Sequence, residues 1–391
     1  MSRPAYIEPS TGETFPLETP LWRAPSGKPL MITPLPGATN LKPGSATPLP
    51  GITRSEIDTA TRSIWRYRRA LPLEITEPVS MGEGMTPLVP GRVPSGAVEF
   101  KLEWFSPTGS FKDRGASVMM SYLRQVGVPG ILEDSSGNGG SAMAAYGAAA
   151  GMRVRILTPA STQPAKLVQM RACGAEVQLV PGPREESQYE AIRQSEETFY
   201  ASHNWQAFFL QGTKTLAYEL WEDCGFQAPD NIVIPVGAGS NVLGCDIGFS
   251  ELLRAGQIDR LPRIFCAQPA NCAPIHAAFE NDGVVGDIPF HPTVAEGTAI
   301  KSPVRMGEVL DAIRRSGGGT VAVPEEDIIT AVRGLSAAGL YAEPTSATAA
   351  AATEALLASG RITPDQRTIA VLTGSGLKAS AFMAETFGKV E

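Results

Sequence analysis

Lys112 is the residue whose type and setting first suggest covalent chemistry. It lies in the segment PTGSFKDRG (107–115), at the expected start of a helix and two residues before Arg114. The positive end of a helix and a nearby cation both favour the neutral amine over the ammonium form. A neutral amine can attack a carbonyl carbon and form a Schiff base. Taken alone, the segment is also typical of a lysine on a solvated surface, so its interpretation depends on the rest of the sequence.

A second candidate segment is the glycine-rich loop SSGNGGS (135–141), which follows a predicted strand. Its glycines allow the backbone to approach a flat ligand closely. The Asn138 amide can donate a hydrogen bond to a phenolate, and exposed backbone amides can hold a carboxylate. A tight turn without function is the alternative. The candidate binding residues of this loop are Ser135, Ser136, Gly137, Asn138 and Gly139.

A third loop, PVGAGSN (235–241), again leads from a strand into a helix. Small residues and free N–H groups at a helix N-terminus form a cradle for phosphate. The loop lacks both the G-x-x-x-x-G-K-[ST] of a P-loop and the full G-x-G-x-x-G of a dinucleotide site, so by itself it is a weak signal. The candidate cradle residues are Gly237, Ala238, Gly239, Ser240 and Asn241.

The fourth loop is TGSGLK (373–378), after the predicted strand TIAVL. The hydroxyl of Thr373 or Ser375 could hydrogen-bond a ring nitrogen of a ligand. Ser375 alternatively serves as the N-cap of the helix that follows.

The elements that must position these loops alternate between strand and helix. Short β-branched runs (VEFKLE, VRILTP, EVQLVP, NIVIPV, RIFCAQ and TIAVLT) are separated by helical stretches such as SAMAAYGAAAG, PAKLVQMRACG and TKTLAYELWEDCG. This alternation predicts an α/β protein with parallel sheets and helices on both faces. Because ligands of such sheets bind beyond the carboxyl ends of the strands, the four loops are expected to meet there.

The four loops also carry a family resemblance. Together with AEPTSA (342–347), WRYRRALP and QGTKTLAYE, they occur in the order and at the spacing of threonine synthase. That family belongs to the tryptophan-synthase-β (fold type II) group of enzymes, which depend on pyridoxal 5'-phosphate (PLP). The resemblance covers roughly residues 60 to 385. It implies two domains: a large PLP-binding domain of residues 53–114 and 211–391, and a small mobile domain of residues 115–210.

The resemblance also implies roles for individual residues. Lys112 resembles the Schiff-base lysine, and Asn138 resembles the partner of the PLP phenolate. Residues 237–241 resemble the phosphate cup, and Thr373 resembles the partner of the pyridine nitrogen. A hydroxyl at that nitrogen leaves it largely unprotonated, which suits elimination and replacement chemistry.

The N-terminal residues 1–52 depart from the family pattern. They are rich in proline, glycine and threonine, so we expect an extended arm with little helix or sheet. Related enzymes often carry a four-cysteine zinc ribbon here. Near the thiol positions this chain has Glu8, Thr11, Ala24 and Ser26, and its five cysteines form no C-x-x-C pair. We therefore expect no metal.

The substrate side departs further. Phe209 stands near the place of an arginine that helps to hold phosphate in threonine synthases. Gly139 replaces the usual threonine, and Ser375 replaces a histidine. An aromatic ring cannot neutralise a phosphate dianion, so O-phosphohomoserine is expected to be a poor substrate. Alternatively, Arg114, Arg155 or Lys101 serves the phosphate from elsewhere.

The segment TVAEGTAIK (293–301) resembles instead the T-I-A-D-G-x-A-V-K of serine/threonine dehydratases. Glu296 is therefore a candidate substrate-binding residue, and a surface or capping carboxylate is the alternative.

Composition excludes several other classes. The chain has 391 residues, a formal net charge of -7 and no basic stripe, which argues against a nucleic-acid partner. No apolar run approaches the ~20 residues of a membrane span, and MSRPAYIEPSTGETF lacks the apolar core of a secretory signal. We expect a cytoplasmic homodimer. Its function is expected to be PLP-dependent elimination or replacement, as a lyase, on a small β-substituted amino acid. True threonine synthase and a non-catalytic PLP or amino-acid binding protein are the alternatives.

Overall fold

The computed structural model describes residues 3–38 and 51–388. In chain order the strands are β1 (Tyr6–Ile7), β2 (Thr14–Phe15), β3 (Met31–Ile32), β4 (Leu88–Val93), β5 (Gly96–Leu102), β6 (Gly130–Glu133), β7 (Arg153–Pro159), β8 (Glu176–Val180), β9 (Phe199–Tyr200), β10 (Asn231–Pro235), β11 (Arg263–Pro269), β12 (Gly319–Val323) and β13 (Thr368–Leu372).

The α-helices are α1 (Lys112–Gln125), α2 (Asn138–Ala150), α3 (Pro164–Ala172), α4 (Arg184–Gln194), α5 (Ala207–Thr213), α6 (Thr215–Asp223), α7 (Ser240–Arg254), α8 (Pro274–Glu280), α9 (Met306–Ser316), α10 (Glu325–Ala337), α11 (Pro344–Ala358) and α12 (Ser380–Phe387). Short 3-10 helices cover Arg54–Glu56, Ile64–Ala70, Glu103–Phe105, Ala270–Cys272, Glu296–Thr298 and Gly376–Ala379. In the described part of the chain, no helix combines the length and the apolar character that a membrane span requires.

The larger sheet has six strands in the order β12-β11-β10-β13-β5-β4. All neighbours are parallel except the edge pair β4 and β5, which is antiparallel. The central strands β10 (NIVIP) and β13 (TIAVL) are buried along their whole length. Continuous apolar strands of this kind are typical of parallel sheets that helices cover on both faces. The predicted α/β class is therefore confirmed, with one antiparallel edge strand that the sequence pattern did not indicate.

The second sheet has four parallel strands in the order β8-β7-β6-β9. Helices α1 and α2 bury one side of it in an apolar core that includes Met119, Met143 and Ile156. A smaller core with Leu157 and Ala191 lies on the other side, under α4. Because the chain forms two separate sheets, the loop after β6 of the second sheet can face the loops after β5, β10 and β13 of the first.

The N-terminal segment forms a small sheet, contrary to expectation. Strands β1, β2 and β3 pair antiparallel in the order β2-β1-β3. Two turns are joined by the buried carboxylate of Glu8, which accepts hydrogen bonds of 2.7 Å from the hydroxyls of Ser10 and Ser26. These bonds hold the pKa of Glu8 below its ordinary value. Glu8 and Ser26, which stand near the zinc-binding cysteines of related enzymes, thus link the two turns by a hydrogen bond.

This small sheet packs on the helices beside the second sheet. The Tyr6 hydroxyl donates to the Tyr122 hydroxyl (2.9 Å), which donates to the carbonyl of Leu17 (2.8 Å). The Tyr122 ring stacks on Phe208, with 3.7 Å between ring centroids. The arm therefore lies against its own chain at α1 and α5. The part of the predicted arm at residues 39–50 lies outside the described residues.

Candidate active site

A cavity of about 850 Å³ lies where loops from the two parallel sheets face each other. The loops after β6, β10 and β13 all contribute, and so does the segment before α1 that follows β5. This is the carboxyl edge at which ligands of parallel sheets bind. The predicted site residues that line the cavity are Lys112, Ser135, Ser136, Gly137, Asn138, Gly139, Gly237, Ala238, Gly239, Ser240, Asn241, Glu296 and Thr373.

Lys112 is the first residue of α1 and is partly buried at this cavity. Burial lowers the pKa of its amine to about 8, and Glu133 and Glu343 oppose the shift only in part. At pH 7 roughly a tenth of such amines are neutral, compared with far fewer for an exposed lysine. The sequence predicts that the nearby charge of Arg114 contributes to this shift. The Arg114 guanidinium is instead bound to the carboxylates of Glu103 and Glu219, so burial is the main cause.

The loop 135–139 has two different kinds of glycine. A side chain at Gly137 would meet open space, so a ligand can approach the backbone there. A Cβ at Gly139 would lie 2.6 Å from Cε1 of His203. The second glycine is therefore required by packing inside the protein. Asn138 begins α2, and its Nδ2 donates to Oε1 of Glu343 over 3.0 Å.

The loop 237–241 has the features of an anion cradle. Gly239 has φ of +93°, and a Cβ there would lie 2.3 Å from Cγ2 of Val309, so other residues are excluded. Helix α7 begins at Ser240 and directs its N-terminus to the loop. Both polar atoms of the Asn241 amide are buried without a hydrogen-bond partner among residues 3–38 and 51–388. A phosphate group in the cradle would supply such a partner.

Thr373 and Ser375 lie in different settings. The Thr373 hydroxyl is buried 3.2 Å from that of Ser346, at the cavity wall. The Ser375 hydroxyl accepts from the backbone N–H of Leu377 (3.2 Å) and caps the 3-10 helix after it. The structure therefore does not bring Ser375 to the cavity lining, and its position matches the capping alternative.

Sequence reasoning missed several acidic and basic residues of the site. Burial raises the pKa of Glu133 and of Glu343 to about 7 each. Burial and the charge of Lys112 hold the pKa of His203 well below its ordinary value. A signal was present for Glu343, which belongs to the AEPTSA motif. Glu133 ends β6 directly before the SSGNGG loop, but its pairing with His203 had no sequence signal.

Two contacts cross the cavity mouth from α3. Lys166 forms an ion pair with Glu296, whose side chain is 63% exposed. Lys378 donates to Oε1 of Gln169 over 2.5 Å. Glu296 thus lies at the rim, in contact with a lysine from the other side of the cavity.

The cations near the cavity are not those proposed from the sequence. Lys101 and Arg114 belong to a buried ion network, and Arg155 lies 3.0 Å from Glu176 on the far side of the second sheet. Arg184 and Lys166 do line the cavity. Arg184 also donates to Asp134 (2.9 Å).

Phe209 is fully buried, and its ring fills the space at Gly115, where a Cβ would lie 2.5 Å from ring carbons. The Lys112 Nζ is 5.9 Å from the centroid of this ring. An apolar ring therefore occupies the space beside the amine.

The cavity fits PLP in its chemistry. It combines a lysine whose amine is readily neutral, a helix N-terminus with an unpartnered buried amide, and a hydroxyl at Thr373. These groups suit an aldehyde, a phosphate and a pyridine nitrogen respectively.

Comparison with known proteins agrees with this assignment. The profile of the pyridoxal-phosphate dependent enzyme family matches residues 79–374. Threonine synthase of Methanocaldococcus jannaschii is 34% identical over 327 residues, which cover 81% of this chain and 80% of the relative. Threonine synthase of Methanosarcina acetivorans is 33% identical over 333 residues, which cover 83% and 82%.

Solved structures share the fold. The L-serine ammonia-lyase from Rhizomucor miehei has a TM-score of 0.69 at 20% identity, covering 81% of this chain and 100% of its own. The threonine deaminase from T.th. has a TM-score of 0.63 at 25% identity, covering 74% and 92%. With the family profile matching most of its length and curated relatives above 30% identity, this chain belongs to the pyridoxal-phosphate dependent enzyme family, in fold type II.

Proposed function

We propose that this enzyme catalyses elimination or replacement on a small α-amino acid that carries a leaving group at Cβ. The observation that carries the proposal is the partly buried Lys112 amine, with a pKa near 8, at a cavity built from three further ligand-binding loops. An amine of this kind can hold an aldehyde and later act as a general base near neutral pH.

The bound cofactor would supply an electron sink for the charge that develops at Cα of the substrate. Nζ of Lys112 takes the Cα proton. The backbone around Gly137 and the hydroxyls of Ser135 and Ser136 hold the substrate carboxylate. Asn138 would hold the cofactor phenolate, residues 237–241 would hold its phosphate, and the hydroxyl of Thr373 would bind its ring nitrogen.

The environment of Lys112 favours a substrate without a phosphoryl group. Phe209 fills the space beside the amine, and Lys101, Arg114 and Arg155 are bound to carboxylates elsewhere. Lys166 and Arg184 line the cavity, but each is already paired with a carboxylate, and burial of a phosphate dianion without a further cation is strongly unfavourable. A hydroxyl or another uncharged leaving group needs no such compensation.

The second candidate is threonine synthase acting on O-phosphohomoserine. Its support is the printed function of the curated relatives, together with Arg184 and Lys166, which line the cavity. A non-catalytic binding protein has less support, because binding alone does not require an amine with a lowered pKa.

We further propose that residues 115–210 move as a small domain relative to residues 53–114 and 211–391, and that the enzyme is a cytoplasmic homodimer. The separate four-stranded sheet supports the domain division. The contacts of α3 with Glu296 and Lys378 would form and break during such a movement.

A substrate comparison tests the proposed function. The holoenzyme is mixed separately with L-serine, L-threonine, 3-hydroxyaspartate and O-phosphohomoserine, and keto acid, ammonia and threonine are measured. We expect keto acid and ammonia from a hydroxy amino acid, and little turnover of O-phosphohomoserine. Threonine formed from O-phosphohomoserine with kcat/KM above roughly 10⁴ M⁻¹s⁻¹, the lower end for ordinary enzymes, would establish the second candidate instead.

A further inference from the structure

His203 and Glu133 form a buried pair at the cavity that the roles above do not use. Nδ1 of His203 lies 3.0 Å from Oε1 of Glu133. The backbone N–H of His203 donates to the other carboxylate oxygen over 3.1 Å, so one carboxylate holds both the ring and the main chain of the histidine. His203 is 7% exposed, and Glu133 is fully buried.

The other ring nitrogen of His203 is available to a ligand. Nδ1 lies within hydrogen-bond distance of Glu133, whereas Nε2 has no hydrogen-bond partner among residues 3–38 and 51–388. His203 lines the same cavity as Lys112, and the charge of Lys112 acts on both members of the pair. The His203 ring packs on Gly139 of the loop 135–139, and Phe209 lies near both the ring (5.6 Å between centroids) and Nζ of Lys112 (5.9 Å from the Phe209 centroid).

Gly139 makes room for this arrangement. A Cβ at residue 139 would lie 2.6 Å from Cε1 and 2.8 Å from Nδ1 of His203, and 2.9 Å from the Ser135 hydroxyl. A side chain at residue 139 would therefore displace the imidazole of His203 or the hydroxyl of Ser135, and glycine leaves both groups at this side of the site.

We propose that His203, held by Glu133, donates the proton with which a substrate hydroxyl leaves as water, so that the substrates are β-hydroxy-α-amino acids. This inference rests on the proposed function and specifies its substrate class. If the carboxylate is held at residues 135–139 and the Cα proton goes to Lys112, then a group bordering both is within reach of the substituent on Cβ.

Each proton of the proposed step has a defined donor and acceptor. Lys112 Nζ takes the Cα proton, and the Cβ–O bond breaks with its electron pair on oxygen. Nε2–H of His203 transfers its proton to that oxygen, and Nδ1 receives the proton that Glu133 holds. The pair ends one proton poorer and regains it from solvent water when the cavity opens.

The test compares two leaving groups in the holoenzyme. L-Serine loses a hydroxyl that needs a proton, whereas β-chloro-L-alanine loses chloride, which needs none, and both yield pyruvate and ammonia. For His203→Asn we expect kcat with L-serine to fall by about 10²- to 10⁴-fold, the usual contribution of general acid catalysis. With β-chloro-L-alanine, kcat should remain within about threefold of the wild type.

The pH profile adds a readout that a structural role would not change. With L-serine, kcat should fall as pH rises and the pair loses its proton, and this limb should be absent with β-chloro-L-alanine. The charged groups that act on His203 are Glu133 and Asp134 at the end of β6, Lys112 of α1 and Arg184 of α4. Lys112 takes the Cα proton from both substrates, so its titration affects both profiles, and the difference between the two profiles reports the proton donor. Glu133→Gln, a change in the positioning residue, should also remove the limb.

His276→Asn is the matched control. His276 bonds the Thr320 hydroxyl (2.9 Å) and does not line the cavity, so both rates should be unchanged. Equal losses with both substrates in His203→Asn, or no loss with either, would overturn the inference. If the wild-type enzyme converts β-chloro-L-alanine but no hydroxy amino acid to keto acid and ammonia, the inference is overturned and the proposed function stays intact. A wild type that uses neither would refute the proposed function and the inference together.

Discussion

Two lysines of this enzyme, the buried Lys101 and the partly buried Lys112, have opposite electrostatic properties. Lys101 donates to Glu219 and Asp223 over 2.7 Å each and to the carbonyl of Thr86 over 2.6 Å. Burial lowers its pKa, but the two carboxylates outweigh burial and leave the pKa raised. Lys112 has no such direct bonds within the described part of the chain, and its pKa falls to about 8.

The difference shows that burial alone does not decide whether the pKa of a lysine is raised or lowered. A buried ammonium that is directly bonded to carboxylates keeps its proton, because the ion pair compensates for lost hydration. An amine removed from water loses its proton more readily than this paired ammonium when carboxylates lie nearby without bonding to it directly. Helix α1 carries one cation of each kind, two residues apart. The Arg114 guanidinium is bonded to Glu219, which also binds Lys101, whereas the Lys112 amine has no direct carboxylate partner in the described part of the chain.

The strongest test of this comparison is removal of the reactive amine. Lys112→Ala should lower kcat by at least about a thousandfold, since covalent attachment of the cofactor and the general base are lost together. Borohydride treatment of the wild-type holoenzyme should attach the cofactor to Lys112, as peptide mapping would show, and should attach none in the variant. Label on Lys101 or Lys166 in the wild type would contradict the assignment.

Removal of the Lys101 amine should lower the stability of the protein and leave cofactor attachment intact. Lys101→Met leaves Glu219 and Asp223 with one cation fewer in a buried region, and the free energy of unfolding should fall by about 3 kcal/mol. This is the lower end of the usual range, because Glu219 keeps Arg114. Urea denaturation measures the loss. Borohydride should still label Lys112 in the folded variant, and loss of the label would show that the two lysines are coupled.

A smaller effect is expected from the carboxylates that act on Lys112. Glu343→Gln removes a negative charge that raises the Lys112 pKa, so this pKa should fall further, by less than about one unit because Glu133 remains. The rate at which apoenzyme attaches the cofactor should reach its half-maximum at lower pH. Because the pKa of Glu343 is itself about 7, the difference should shrink below that pH, where the wild-type carboxyl is protonated. A shift to higher pH would contradict this account.

The sequence predicted which loops form the cavity better than it predicted which side chains contact one another. Lys112, Asn138, Thr373 and the 237–241 loop all line one cavity. Three of these segments follow parallel strands of the six-stranded sheet, which end at one edge, and the Asn138 loop faces that edge from the four-stranded sheet. The cofactor-binding role of Ser375 stays a prediction: its hydroxyl caps the local turn, and the residue is not among those that line the cavity. The N-terminal sheet was missed, since its strands have two residues each and carry no periodic signal.

Local residue patterns by themselves determined the α/β class and the family and predicted the reactive lysine, because a glycine-rich turn between strand and helix is encoded within a few neighbouring residues. Tertiary structure alone decided which charges meet. Glu133 and His203 are 70 residues apart in the chain, Lys101 and Glu219 are 118 apart, and Asn138 and Glu343 are 205 apart. Such pairs depend on how the two sheets pack, and the resulting burial sets the pKa of each group. The protonation state of Lys112 is therefore a property of the folded enzyme and not of its sequence motif.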